Sequence, residues 1–212
     1  MKKYEMTNES INFRGVKLFR IRALQYFRDV KAGDLGGYIE KEDNLSQYDY
    51  CWVYGNAKVF GNAMVDGNAR VYGNAMVYGN AMADGNARVY GNARVYGDAI
   101  VYDYTRVSGN AMVYGNAMVY GNARVYGDAR VDGNADVYKD THVLQIGAIG
   151  SRDDTTTFFR TKDKKIYVIC GCFGGDIEKF EKAVEEENKG TKHEKTYKLA
   201  IELAKLQIEL ED

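Results

Sequence analysis

Proline is absent from these 212 residues, and leucine is scarce outside the two ends of the chain. A chain so poor in large aliphatic side chains does not build an ordinary globular core, even though hydrophobic residues make up 45% of it. The formal net charge is −1, which excludes a generally basic nucleic-acid binder. Cysteine occurs three times (Cys51, Cys170 and Cys172), an odd number at no disulfide-scaffold spacing, as expected in a reducing cytosol. No segment approaches membrane-spanning length, and the opening "MKKYEMTNES" has no apolar run after its lysines. The sequence therefore reads as a soluble cytoplasmic protein without a membrane partner. A phosphate-binding glycine motif is also missing.

What the chain has instead is glycine (23 residues), tyrosine (18 residues) and a period of six. Valine recurs every sixth residue from Val53 to Val143, with Ala83 filling the one gap, and a small residue stands two places before each. The hexads run from Cys51 to Leu144 without an insertion, each reading small–x–Val, then an aromatic or Asp, then Gly-Asn. In an extended segment alternate side chains share a face, so Ala and Val point one way and x the other. Gly-Asn tolerates positive φ and lets the chain turn after each short strand. A short strand and a corner, repeated, form a coil, and stacked coils bury the Val/Ala face in one continuous core. A helix is excluded, because the pattern has no 3.6-residue period and places Gly in every second turn.

Val at one position and Ala four later resembles the hexapeptide repeat of left-handed parallel β-helix proteins. That resemblance implies three hexads per triangular coil, hence roughly five to six coils stacked at about 4.8 Å. The leader "RIRALQYFRDVKAGDLGGYIEKEDNLS" (20–46) and the tail "GAIGSRDDTTTFFRT" (147–161) are similar to uncharacterised hexapeptide proteins of bacteria, phages and prophages, some labelled transferases. The expected fold is mainly β: a left-handed parallel β-helix with a small αβ N-terminal cap and a C-terminal ββαα unit.

Three regions follow. Residues 1–38 form the N-terminal cap, with "KLFRIRAL" as a strand. Residues 39–144 form the solenoid, since Ile39 and Leu45 keep the six-residue phase with Cys51. Residues 145–212 form a β-hairpin around "KDKK" and two helices. The first helix turns Ile177, Phe180 and Val184 inward and stops at Gly190. The second opens on the capping box "TKHE" (191–194), with Tyr197, Ala200, Ile201 and Ala204 inward. This unit is expected to cover the last open coil.

The resemblance to hexapeptide acyltransferases implies a CoA thioester substrate and a histidine general base, but only two histidines occur. His142, at an outward position of the last hexad with Asp140 nearby, is the only catalytic candidate, and His193 lies in the first turn of the final helix. The hexads also lack the loop with which such enzymes complete a pocket. Cys170 and Cys172 flank a glycine on an alternating strand, which puts both thiols on one face. With His193 as the only further ligand they fall short of a metal site and read as small core residues, and Cys51 fills an inward Ala slot. No metal and no cofactor are expected.

With three hexads per coil, every third outward residue stacks on one face. One ladder reads Trp52, Arg70, Arg88, Arg106, Arg124, His142. A second reads Lys58, Met76, Arg94, Met112, Arg130, and a third Met64, Met82, Ile100, Met118, Asp136. The third is an apolar stripe that either mediates self-association, as a dimer or trimer, or is covered by the terminal helices. The first stacks guanidiniums beside a tyrosine-rich ladder (Tyr54, Tyr72, Tyr90, Ser108, Tyr126, Leu144). It is either a solvated ladder relieved by Arg–Tyr stacking or a docking strip for an anionic partner. One hexad departs from the rule: "DYTRVS" (103–108) replaces the corner Gly-Asn with Asp103-Tyr104 and removes a ring at Ser108. The expected notch lies beside Arg88, Arg106 and Arg124, with Tyr90, Tyr104 and Tyr126 around it. The function expected is a non-catalytic, oligomeric β-solenoid that binds a bacterial host protein or an anionic ligand through this face, as a phage or prophage accessory protein would. The alternatives are a CoA-dependent acyltransferase and a purely structural scaffold.

Overall fold

The computed structural model describes residues 1–211. The chain opens with β1 (Tyr4–Phe13), β2 (Val16–Ala23) and β3 (Leu35–Ile39). Fifteen two-residue strands follow, β4 (Trp52–Val53) to β18 (Asp136–Val137), spaced six residues apart. Beyond them come β19 (Val143–Ile149), β20 (Asp154–Arg160), β21 (Ile166–Cys170), β22 (Phe173–Asp176), α1 (Ile177–Glu187) and α2 (Lys192–Gln207).

The short strands sort into three parallel sheets, each pairing residue i with residue i+18, so three hexads make one coil. The ladders expected from the sequence are the observed registers: Trp52–Arg70–Arg88–Arg106–Arg124 on one face, and Met64–Met82–Ile100–Met118–Asp136 on another. The third face carries Lys58, Met76, Arg94, Met112 and Arg130 and continues into β3, β2 and β1. Inward Ala and Val side chains are sealed from solvent along the whole solenoid. Backbone amides donate to the next coil, as Arg88 N to Thr105 O and Tyr90 N to Val107 O, both at 2.9 Å. At the corners the backbone leaves no room for a side chain: a Cβ on Gly91 (φ +72°) would lie 3.0 Å from the Gly109 carbonyl oxygen.

The N-terminal cap differs from expectation in two ways. It is β throughout and holds no α-helix: β1 and β2 form an antiparallel hairpin turning at Arg14 and Gly15, both at positive φ. The polar outer face of "YEMTNESINF" hid β1, and only the Arg-Gly turn signalled it. The solenoid does begin before its signature, but out of phase with Cys51. Ile39 pairs with Val59 and Leu45 with Val65, twenty residues on, so two extra residues bulge out before Cys51. Tyr4, Ile21, Phe27 and Trp52 plug this end, with Phe27 edge-on to Trp52 at 5.4 Å, so Trp52 is buried despite its outward position. Cys51 packs inside as expected, its thiol and carbonyl receiving the buried Lys3 ammonium at 3.2 and 3.1 Å.

The C-terminal unit is ββββαα rather than ββαα, because β19 and β22 flank the expected hairpin. Its sheet lies across the last coil: Ala135 bridges to Thr161, and the Arg130 amide donates to Thr157 Oγ1 at 3.1 Å. The two sides of β20 serve different cores. Phe159 joins the solenoid core, while Phe158 packs with Val168, Phe180 and Ile201 beneath the helices. Both helices bury the residues expected of them, and Thr191 Oγ1 caps α2 by accepting from Glu194 N at 3.3 Å. Among the described residues no helix is long and apolar enough to cross a membrane.

Candidate functional site

Arg88, Arg106 and Arg124 occupy adjacent rungs of one face and are exposed. Arg70 above them reaches Asp29 at 3.5 Å, and Arg124 below reaches Asp140 at 3.7 Å. Arg88 and Arg106 lie between with no ion-pair partner among the described residues. The expected Arg–Tyr stacking does not form. The tyrosines stack on one another instead, Tyr72 on Tyr90 at 4.9 Å with planes 1° apart. Burial raises the Tyr72 phenol above its usual pKa, with Arg88, Arg106 and Arg70 pulling the other way.

Ser108 breaks this ladder where its sequence departs from the repeat. A cleft of about 520 Å³ opens there, lined by Tyr90, Arg106, Ser108, Arg124 and Tyr126. Arg88 sits one rung above the cleft rather than in it. Tyr104 is 66% exposed but at the opposite end of the Arg106–Val107 strand from Ser108, and it does not line the cleft. The corner before it holds Asp103 at φ +58°, where neighbouring coils use Gly. Inside, Thr105 fills an Ala slot with its hydroxyl buried and unpartnered.

The far wall comes from the turn after the last coil, which the sequence did not identify as part of the site. It supplies Asp140 and Thr141, the start of β19 supplies Gln145, and the end of α2 supplies Gln207. Thr141 Oγ1 and Gln145 Oε1 are enclosed without a hydrogen-bond partner. The six-residue phase places Asp140 and Thr141 near this face, but no local signal brings Gln207 to it.

His142 is not an outward residue. The turn Asp140–His142 and the C-terminal sheet bury it fully, with Nδ1 accepting from Tyr138 N at 3.4 Å and the ring edge-on to Tyr138 at 4.2 Å. Burial first, then Arg160 and Lys139, lowers its pKa. The ring is sealed in the packing between the last coil and the C-terminal sheet, with no open approach.

The thiols also depart from expectation. Cys170 is half-buried at the end of β21, within 3.5 Å of the Tyr197 hydroxyl, whereas Cys172 lies exposed in the Gly171–Cys172 turn. They do not share a strand face, and Cys172 is not a core residue. Both border a second cleft of about 630 Å³ with His193, beneath α1 and α2. Among the described residues no group of three or more His, Cys, Asp and Glu side chains is placed to hold a metal ion.

On the Met/Ile face, Met64, Met82, Ile100 and Met118 are half-buried, while α1 packs chiefly on β21 and β22 and α2 on β19.

Comparison with known proteins is consistent with this architecture and adds a label. The YdcK Beta solenoid repeat matches residues 69–83, 85–104, 106–121, 113–125 and 117–133. A curated relative, "Uncharacterized acetyltransferase YdcK" of Escherichia coli (strain K12), is 37% identical over 62 residues, 26% of this chain and 19% of that protein. The chain thus spans only about a fifth of that relative's length. The period of six, the three-hexad register and these matches together make the chain a hexapeptide-repeat-like β-solenoid protein.

Proposed function

We propose that this protein is a binding module that takes an anionic partner through the Arg face and its cleft, and that assembles with itself through the Met/Ile face. The observation that carries the reading is the pair Arg88 and Arg106, in register and without counter-ions beside a cleft. Two fixed cations one rung apart repel, and an anion between them relieves that cost. The resemblance to phage and prophage proteins favours a bacterial host protein or ligand as the partner. The test is titration with tripolyphosphate at low and moderate salt. Affinity should fall steeply with salt and be lost in Arg106→Glu, with an unchanged melting temperature. Salt-independent binding, or binding retained in Arg106→Glu, would refute the strip.

A second reading, a CoA-dependent acyltransferase, is favoured by the printed name of the curated relative. It lacks an accessible histidine on the solenoid, because His142 is buried. Saturable acetyl-CoA binding with release of free CoA on an acceptor amine would establish it.

A further inference from the structure

Resting on that reading, we propose that the cleft at Ser108 is a mononucleotide site, with the nucleobase inserted in the rung that the tyrosine ladder leaves empty. The ladder sets the spacing. Stacked rings on this and the neighbouring corners repeat at 4.9–5.0 Å, as Tyr72–Tyr90, Tyr78–Tyr96 and Tyr96–Tyr114. Tyr90 and Tyr126 are two rungs apart with Ser108 between them. A planar ring on the empty rung therefore lies about 5 Å from each neighbour, within the roughly 4.5–7 Å of favourable aromatic pairs.

The rest of the cleft matches the other parts of a nucleotide. Arg106 has no counter-ion, and Arg88 one rung above is equally free, so a phosphate at the mouth meets two guanidiniums. The Asp140 carboxylate, partly engaged by Arg124, is an acceptor for sugar hydroxyls. Thr141 and Gln145 add polar side chains to the lining, suited to the polar edge of a base. The volume of about 520 Å³ lies within the roughly 300–1,000 Å³ of small-molecule sites.

The vacancy is one rung tall. Tyr72 and Tyr90 fill the rungs above and Tyr126 the rung below, so successive bases of a strand find no successive slots. A free nucleotide fits, and a single strand does not.

Calorimetric titration of the full chain with the four ribonucleoside 5′-monophosphates, ribose 5-phosphate, tripolyphosphate and a short oligo(dA) tests this. At least one nucleotide should bind ten times or more tighter than ribose 5-phosphate. Ser108→Tyr should remove that preference while keeping tripolyphosphate binding, and Arg106→Glu should lose both. If no nucleotide exceeds ribose 5-phosphate, or Ser108→Tyr keeps the preference, the slot is refuted, although tripolyphosphate binding lost in Arg106→Glu would leave the anion strip intact. If tripolyphosphate does not bind either, both readings fall. An oligo(dA) affinity well above that of AMP would assign the site to a strand and overturn the free-nucleotide inference.

Discussion

Val95 and Phe158 are both sealed from solvent, yet their surroundings differ in kind. Val95 sits between Val77 and Val113, copies of itself one coil up and one coil down. Phe158 meets Val168, Phe180 and Ile201 from three different elements, edge-on to Phe180 at 6.1 Å. The solenoid is held by one contact made many times, the C-terminal unit by many contacts each made once. Repetition secures the register and makes each outer face a straight ladder of like residues. It leaves little variety for a site, which is why the one irregular hexad and the junction with the C-terminal unit together form the cleft.

If this comparison is right, a single charge in the repeat is the most damaging change. Val95→Asp places an unpaired carboxylate between two valines in a core with no polar partner, at a cost of several kcal/mol. The expected outcome is insoluble or unfolded protein. A soluble variant with a cooperative melt would show that the inward assignment is wrong.

At the junction the expected damage is smaller and local. Arg160 is buried and pairs with the Asp136 carboxylate of the last coil, while its Nε donates to the Leu210 carbonyl at 3.2 Å. Arg160→Met leaves Asp136 without that partner and should cost about 3 kcal/mol. Hydrogen exchange should quicken in β19–β22 and remain slow in β7–β14. Uniform quickening would show that the two regions unfold as one unit.

Least costly to stability is a change on the Met/Ile face. Met82→Glu with Met118→Glu leaves the Ala/Val core untouched and should shift the melting temperature little, but light scattering should show a lower mass than for the unaltered chain. An equal mass would place self-association elsewhere.

The period of six made the solenoid, its ladders and the position of the notch legible, because an insertion-free repeat forces residue i over residue i+18. It could not show what the ends cover. His142 reads as outward by phase and is buried only because β19–β22 fold back over the last coil. Tyr104 reads as close to Ser108 in sequence, yet the extended Arg106–Val107 strand places them at its opposite ends. The bulge before Cys51 has no signal in the period, because Ile39 and Leu45 fall on the phase of the Ala slots while occupying Val slots. Gln207 reaches the cleft through the docking of α2, a contact with no local signature.

On the proposed reading, the irregular hexad is kept for binding at some expense of stability. Asp103 stands at a positive φ where Gly is easier, and the Thr105 hydroxyl is buried without a partner, a defect worth about 1–3 kcal/mol. Restoring the repeat with Asp103→Gly, Tyr104→Asn, Thr105→Ala and Ser108→Tyr in one chain tests this directly, by melting temperature and nucleotide titration on the same sample. The expected result is a higher melting temperature and loss of the nucleotide preference. A chain that melts no higher, or that melts higher and still binds nucleotide as before, would contradict it.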